Sequence, residues 1–181
     1  MSTVLFVRHG QSEANAAKMI ATPDSPLSEF GKQQAAQTGG LLKEKHISKI
    51  VCSPYLRSRQ TAEIIAKEIG YDTDDDIEVI DELRERGFGE KEGGPKDHET
   101  PWYYLIDHEY GIESQQELIL RLRQCLEKLR QIAKHEQGVV LAVGHATAGF
   151  YLRQLAKGHL TVAEFDPPKD QKNAAIIELT L

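Results

Sequence analysis

The chain has 181 residues, of which 40% are hydrophobic and 28% charged, with a formal net charge of −6 at pH 7. That balance belongs to a globular protein with a sizeable core and excludes a disordered one. It also disfavours nucleic-acid binding, which needs a basic face, and no apolar run approaches the roughly 20 residues that cross a bilayer.

In chain order, the first element is a strand over residues 4–7, a short apolar run that ends at Arg8-His9-Gly10. The residues before it carry neither a basic leader nor a small-residue cleavage site, so they read as part of a strand rather than as a signal peptide. Ser28 can cap a helix running to about Lys45, although the Gly39-Gly40 pair inside it is unfavourable to helix. A second apolar run at 50–52 ends in Ser53-Pro54 and reads as a buried strand. A helix over 57–69 follows, with Gly70 as its stop signal. Residues 72–76 form an acidic turn, and 77–80 a weaker strand. Ser114-Gln115-Gln116-Glu117 is a capping box. It opens a helix whose stripe of Leu118, Leu122, Cys125, Leu129 and Ile132, in steps of three and four, puts one face on a core. A third strand at 139–143 ends in Gly144-His145, a helix is expected over 148–157, and 173–181 closes the chain as a strand.

Strands alternating with helices imply an α/β fold, a three-layer sandwich whose mostly parallel central sheet is covered by helices on both faces. With no repeat and no linker, residues 1–181 read as a single domain. Cys52 and Cys125 are far apart and outside any Cys-x-x-Cys pair. They argue against a disulfide framework or zinc site and for a reducing, cytoplasmic setting.

Ligands of open α/β sheets bind beyond the carboxyl ends of the strands. Three of the expected strands end there in Arg8-His9, in the Ser53-Pro54 turn that leads to Arg57, and in His145. If those strands are neighbours, two guanidinium groups and an imidazolium meet in one place and can hold a phosphoryl dianion. A single histidine at a strand end is an ordinary structural residue; four such groups together are not. Turnover further requires a nucleophile, for which His9 beside Arg8 and the permissive Gly10 is suited, and a proton donor for the leaving oxygen. A carboxyl next to a bound phosphate keeps its proton to higher pH through like-charge repulsion. Residues 81–90 supply several, and position alone does not choose among Glu82, Glu85 and Glu90.

Arg8-His9-Gly10-Gln11-Ser12-Glu13-Ala14-Asn15 resembles the R-H-G-x-S-x-x-N signature of the histidine phosphatase superfamily, the phosphoglycerate-mutase-like proteins. The resemblance continues in order through Pro26-Leu27-Ser28-Glu29-Phe30-Gly31 and Ser53-Pro54-Tyr55-Leu56-Arg57-Ser58-Arg59-Gln60-Thr61-Ala62-Glu63. It extends to residues 83–93 and to Gly144-His145. It implies that His9 is the phosphorylated nucleophile and that Arg8, Arg57 and His145 complete a phosphate pocket. It further implies that Asn15 and Thr22 contact substrate oxygens and that Glu85 is the general acid that later activates water. Arg59, Gln60 and Thr61 are expected to pack or pair on the helix surface. No metal or other cofactor is implied, and the histidines lack close ligand spacing. Three departures stand out: no glycine lies in 21–25, Ala146 follows His145 where glycine or serine is frequent, and Lys91 replaces a common aromatic residue.

Rival motifs fail. Cys52 to Arg57 is one residue short of the C-x5-R loop of cysteine phosphatases, and neither a P-loop nor a dinucleotide fingerprint is present. The expected activity is a phosphomonoesterase acting on a small phosphorylated metabolite, with no nucleic-acid or membrane partner and an oligomeric state the sequence does not give. The alternatives are a phosphoglycerate-type mutase and, further off, a non-catalytic phospho-ligand binding protein. Mutases of this family carry longer inserts over the substrate. Here only 94–113 can serve as a cover, which favours hydrolysis. Within it Lys96 or His98 is expected near a second acidic group of the substrate, and Trp102, Tyr103 or Tyr104 against its organic part.

Overall fold

The computed structural model describes residues 3–71, 77–96, 109–165 and 172–180. The acidic turn at 72–76, His98 and the aromatic triplet at 102–104 lie outside the described residues.

Five strands form one sheet in the order β3-β2-β4-β1-β5: β1 (Thr3–Arg8), β2 (Ile47–Cys52), β3 (Ile77–Val79), β4 (Val139–Gly144) and β5 (Ile176–Thr180). β1, β2, β3 and β4 are mutually parallel, while β5 runs antiparallel to β1. The three central strands are apolar on both faces, and their side chains divide by the two-residue strand period. Val4, Phe6, Val51, Val140 and Ala142 point to one core. There they meet Leu118, Leu122, Cys125 and Leu129 of α4 (Gln115–His135) and Leu152 of α5 (Ala146–Ala156). Leu5, Val7, Ile50, Cys52, Leu141 and Val143 point the other way, onto Leu42 of α2 (Glu29–Leu42) and Ala62, Ile65 and Ala66 of α3 (Leu56–Ile69). The α/β sandwich expected from the sequence is the fold observed.

The capping signals place the helices. Ser28 Oγ accepts from Gly31 N–H, Ser114 and Glu117 form the reciprocal capping box, and Gly70 ends α3 in the left-handed region. The Gly39-Gly40 pair does not break α2. A Cβ on Gly39 would stand 2.6 Å from Cβ of Glu68, so the glycine lets α2 lie close against α3. α2 stops at Leu42 rather than Lys45, and α5 begins at Ala146, two residues earlier than expected. A short helix, α1 (Glu13–Ala16), was not legible as such: it is one turn, built by a Ser12–Asn15 capping box. Among the described residues no helix is long and apolar enough to cross a membrane.

Candidate active site

Because β2, β4 and β1 are adjacent and parallel, their carboxyl ends open on one edge of the sheet. His9 N–H donates to the Gly144 carbonyl (2.9 Å) and Ser53 N–H to that of Val143 (2.9 Å), which locks the three strand exits together. The imidazoles of His9 and His145 meet edge to face with centroids 5.1 Å apart. Both are buried, at 4% and 0% exposure.

The loop after β1 is held against α2 and α3 by close backbone contacts. A Cβ on Gly31 would fall 1.9 Å from the Gln11 carbonyl oxygen, and one on Gly10 2.3 Å from that of Gly31. Gly10 N–H donates to Thr61 Oγ1 (3.1 Å), whose own hydroxyl donates to the Arg57 carbonyl (2.7 Å). Thr61 is therefore not on the helix surface as expected; it is fully buried and pins the loop. Gln60 also turns inward, its Oε1 accepting from Leu27 N–H at 2.8 Å.

His9 Nδ1 lies 2.6 Å from the Gly10 carbonyl oxygen. A carbonyl can only accept, so Nδ1 carries the proton and Nε2 presents its lone pair. Arg57 Nε donates to that Nε2 at 3.2 Å, and Arg57 Nη1 donates to the Thr22 carbonyl at 2.8 Å. Thr22 thus meets the site through its backbone, while its hydroxyl pairs with Ser25 Oγ at 3.1 Å.

His145 is set the opposite way. Ser53 Oγ accepts from Tyr55 N–H (3.3 Å) and lies 2.7 Å from His145 Nε2. The Ser53 proton is then available to Nε2, which places the imidazole proton on Nδ1. Nδ1 is buried and meets no hydrogen-bond partner among the described residues. The Tyr55 ring packs edge-on against His145, with centroids 5.1 Å apart, and lies under the Arg57 guanidinium at 5.1 Å.

Burial drives the pKa of His9 well below the ordinary histidine value, and the charges of Arg57 and Arg8 push it further; the Gly10 hydrogen bond opposes this, and Lys96 adds to the lowering. Burial does the same to His145, reinforced by Arg57, His9 and Arg8. The imidazolium expected from the sequence is therefore corrected to a pair of neutral imidazoles. Desolvation and two fixed guanidinium charges outweigh any gain from a third cation.

Glu85 faces the start of α5. Its Oε1 accepts from Arg86 N–H (3.0 Å) and Ala148 N–H (3.1 Å), and its Oε2 from Thr147 N–H (3.1 Å). The carboxylate thus caps the positive end of that helix, and its charge acts on Arg57. Glu82, by contrast, turns outward to Lys128 Nζ at 2.7 Å. Asn15 Oδ1 accepts from Ser12 N–H at 3.3 Å and lies 3.5 Å from Asn173 Nδ2, which also donates to the His9 carbonyl at 3.1 Å. Arg8, His9, Thr22, Arg57, Glu85 and His145 are thus gathered at one sheet edge, with Asn15 tied to the back of the loop.

Ser53, Tyr55, Thr61 and Asn173 were missed as site residues. Ser53 and Thr61 lay inside a quoted motif, but only the fold shows what their hydroxyls touch. Cys52 is fully buried and its thiol is pushed up to about 11 by burial, as suits a strand residue and not a nucleophile. Among the described residues no group of three His, Cys, Asp or Glu side chains comes together as metal ligands would.

The fold and this edge define an α/β protein with a pair of histidines gathered beside arginine at the strand exits. The profile of the histidine phosphatase superfamily (branch 1) matches residues 4–181. The chain is 34% identical over 148 residues to the uncharacterized phosphatase PhoE of Bacillus subtilis, an alignment that covers 81% of this chain and 74% of that one. It is 36% identical over 159 residues to the probable phosphoglycerate mutase GpmB of Photorhabdus laumondii, covering 81% and 71%. Among solved structures, a mycobacterial glucosyl-3-phosphoglycerate phosphatase complexed with VO3 superposes with a TM-score of 0.84 at 23% identity. That match covers 99% of this chain and 91% of the other. The chain belongs to the histidine phosphatase superfamily, and it is an enzyme of the phosphohydrolase kind.

Proposed function

We propose that the chain, acting as one catalytic unit, hydrolyses a small phosphorylated metabolite through a phosphohistidine formed on Nε2 of His9, without a metal ion. The hydrogen bond from His9 Nδ1 to the Gly10 carbonyl carries this reading, because it turns the Nε2 lone pair toward the cationic edge. As phosphorus approaches, Arg57 hands its Nε–H from the imidazole to a phosphoryl oxygen. Arg8 and the Nδ1–H of His145 take up the remaining charge, and Thr22 and the amide Nδ2 of Asn15, whose Oδ1 is tied to the loop, add contacts to substrate oxygens. The N–P bond forms and the ester P–O bond breaks, with Glu85 in its protonated form giving its proton to the leaving oxygen. Water then attacks phosphorus, Glu85 removes its proton, the N–P bond breaks, and phosphate leaves a neutral His9.

Lys96 supports a substrate with a second acidic group, since its charge acts on His9 from a segment outside the phosphate pocket. Two buried free cysteines suit a cytoplasmic enzyme. The test is phosphate release from p-nitrophenyl phosphate in excess EDTA. Turnover that resists the chelator and is lost in His9→Ala is expected. Undiminished turnover in folded His9→Ala would sink the proposal.

The likeness to a probable phosphoglycerate mutase favours one second reading, return of the phosphoryl group to a substrate hydroxyl. The lifetime of the phosphoenzyme in water separates the two. Loss of the phosphoryl group at the rate of turnover supports hydrolysis, and persistence over many turnovers supports transfer.

A further inference from the structure

Arg121 projects from the second turn of α4 into the protein and is 6% exposed. Its guanidinium has a partner for each N–H. Nε donates to Glu113 Oε1 (2.7 Å) and Nη2 to Glu113 Oε2 (2.6 Å), a fork on a carboxylate whose side chain is 13% exposed. Nη1 donates to the carbonyls of Glu82 (2.8 Å) and Arg84 (2.9 Å), and Nη2 also reaches that of Glu85 (3.4 Å). The three carbonyls belong to the segment that ends in Glu85. Glu113 grips the same segment from the other side. Its N–H donates to the Gly87 carbonyl (2.9 Å), its Oε2 accepts from Gly87 N–H (3.2 Å), and its own carbonyl accepts from Arg86 Nε (2.7 Å).

A buried ion pair is a weak source of stability, because desolvation cancels most of the attraction and an apolar pair of the same volume does as well. What an apolar pair cannot do is hold carbonyl groups in register. We propose that the Arg121–Glu113 pair is a positioning device that fixes the backbone on both sides of Glu85. It thereby sets where the Glu85 carboxyl stands relative to the leaving-group oxygen. This rests on Glu85 being the general acid, as proposed above. Neither Arg121 nor Glu113 touches the reacting atoms. They act through residues 82–87, and the carboxyl's own contacts to Thr147 and Ala148 complete the alignment.

The experiment compares wild type, Glu85→Gln, Arg121→Lys and Glu113→Gln on two esters, p-nitrophenyl phosphate and glycerol phosphate. The first expels a phenolate that needs little protonation; the second expels an alkoxide that needs a proton. A displaced general acid should lower kcat on glycerol phosphate by about 10²-fold in Arg121→Lys, with a loss of less than about fivefold on p-nitrophenyl phosphate. Glu113→Gln, which keeps the volume and removes the charge, should show the same split if Arg121→Lys is too poorly folded to assay. Equal losses on both esters in Arg121→Lys and Glu113→Gln, beside a clear split in Glu85→Gln, would overturn the positioning role and leave Glu85 as acid. Equal losses in Glu85→Gln itself would overturn both.

Discussion

The rings of His9 and His145 stand 5.1 Å apart and are set in different tautomers by their nearest neighbours, with Ser58 Oγ a more distant second hydroxyl, 3.4 Å from His145 Nε2. A carbonyl at Nδ1 makes His9 a lone-pair donor at Nε2, whereas a hydroxyl at Nε2 makes His145 a hydrogen-bond donor at Nδ1. Ser53 is therefore predicted to matter through the tautomer it imposes. Ser53→Ala should lower kcat by about tenfold, with Ser53→Thr restoring most of it. The ¹⁵N shifts of His145 should move from one tautomer toward a mixture. Unchanged shifts in the alanine variant would remove Ser53 from that role. At this scale the sequence was informative where side-chain type and strand position together foretell which groups meet, as with His9, Arg57 and His145. It was silent on Ser53 and Arg121, whose significance lies in which atoms they meet across 92 and about 36 residues of chain.

Elements carry the side chains to the edge, and one small element was not legible beforehand. Residues 18–20 and 93–96 pair as a two-stranded ribbon: Ile20 N–H donates to the Gly94 carbonyl (2.8 Å), Gly93 N–H to that of Ile20 (2.9 Å), and Lys96 N–H to that of Lys18 (3.0 Å). No alternation of apolar residues marks it, because its cohesion is backbone pairing. The regular helices were readable for the opposite reason, since their caps and stripes are written in side chains. The ribbon fixes the Lys96 backbone through its N–H to the Lys18 carbonyl. Lys96→Ala is expected to reduce kcat/KM about tenfold for substrates bearing a second anionic group and to leave p-nitrophenyl phosphate unaffected. A screen of singly and doubly charged esters checks this, and an unaltered preference would exclude Lys96 from recognition.

For the whole molecule, two buried neutral histidines tie stability to pH. In the unfolded chain both take up protons near the ordinary value of about 6.5, while burial and the Arg57 charge keep the folded forms unprotonated to much lower pH. Below that value the unfolded state binds more protons, so stability falls as pH drops, by up to about 1.4 kcal/mol per pH unit for each histidine. Urea unfolding between about pH 7.5 and about pH 5.5 should show this slope, and His145→Asn should flatten it. An equal slope in that variant would contradict the assignment. The sheet order has another consequence. Among the described residues β1 pairs with β4 and β5, and Ala174 N–H donates back to the Arg8 carbonyl at 3.0 Å. During synthesis His9 therefore emerges long before β4, whose Gly144 carbonyl receives its N–H. The strand exits that gather His9, Arg57 and His145 come together only once β4 has been made, so a chain still short of β4 carries the side chains of this edge without its geometry.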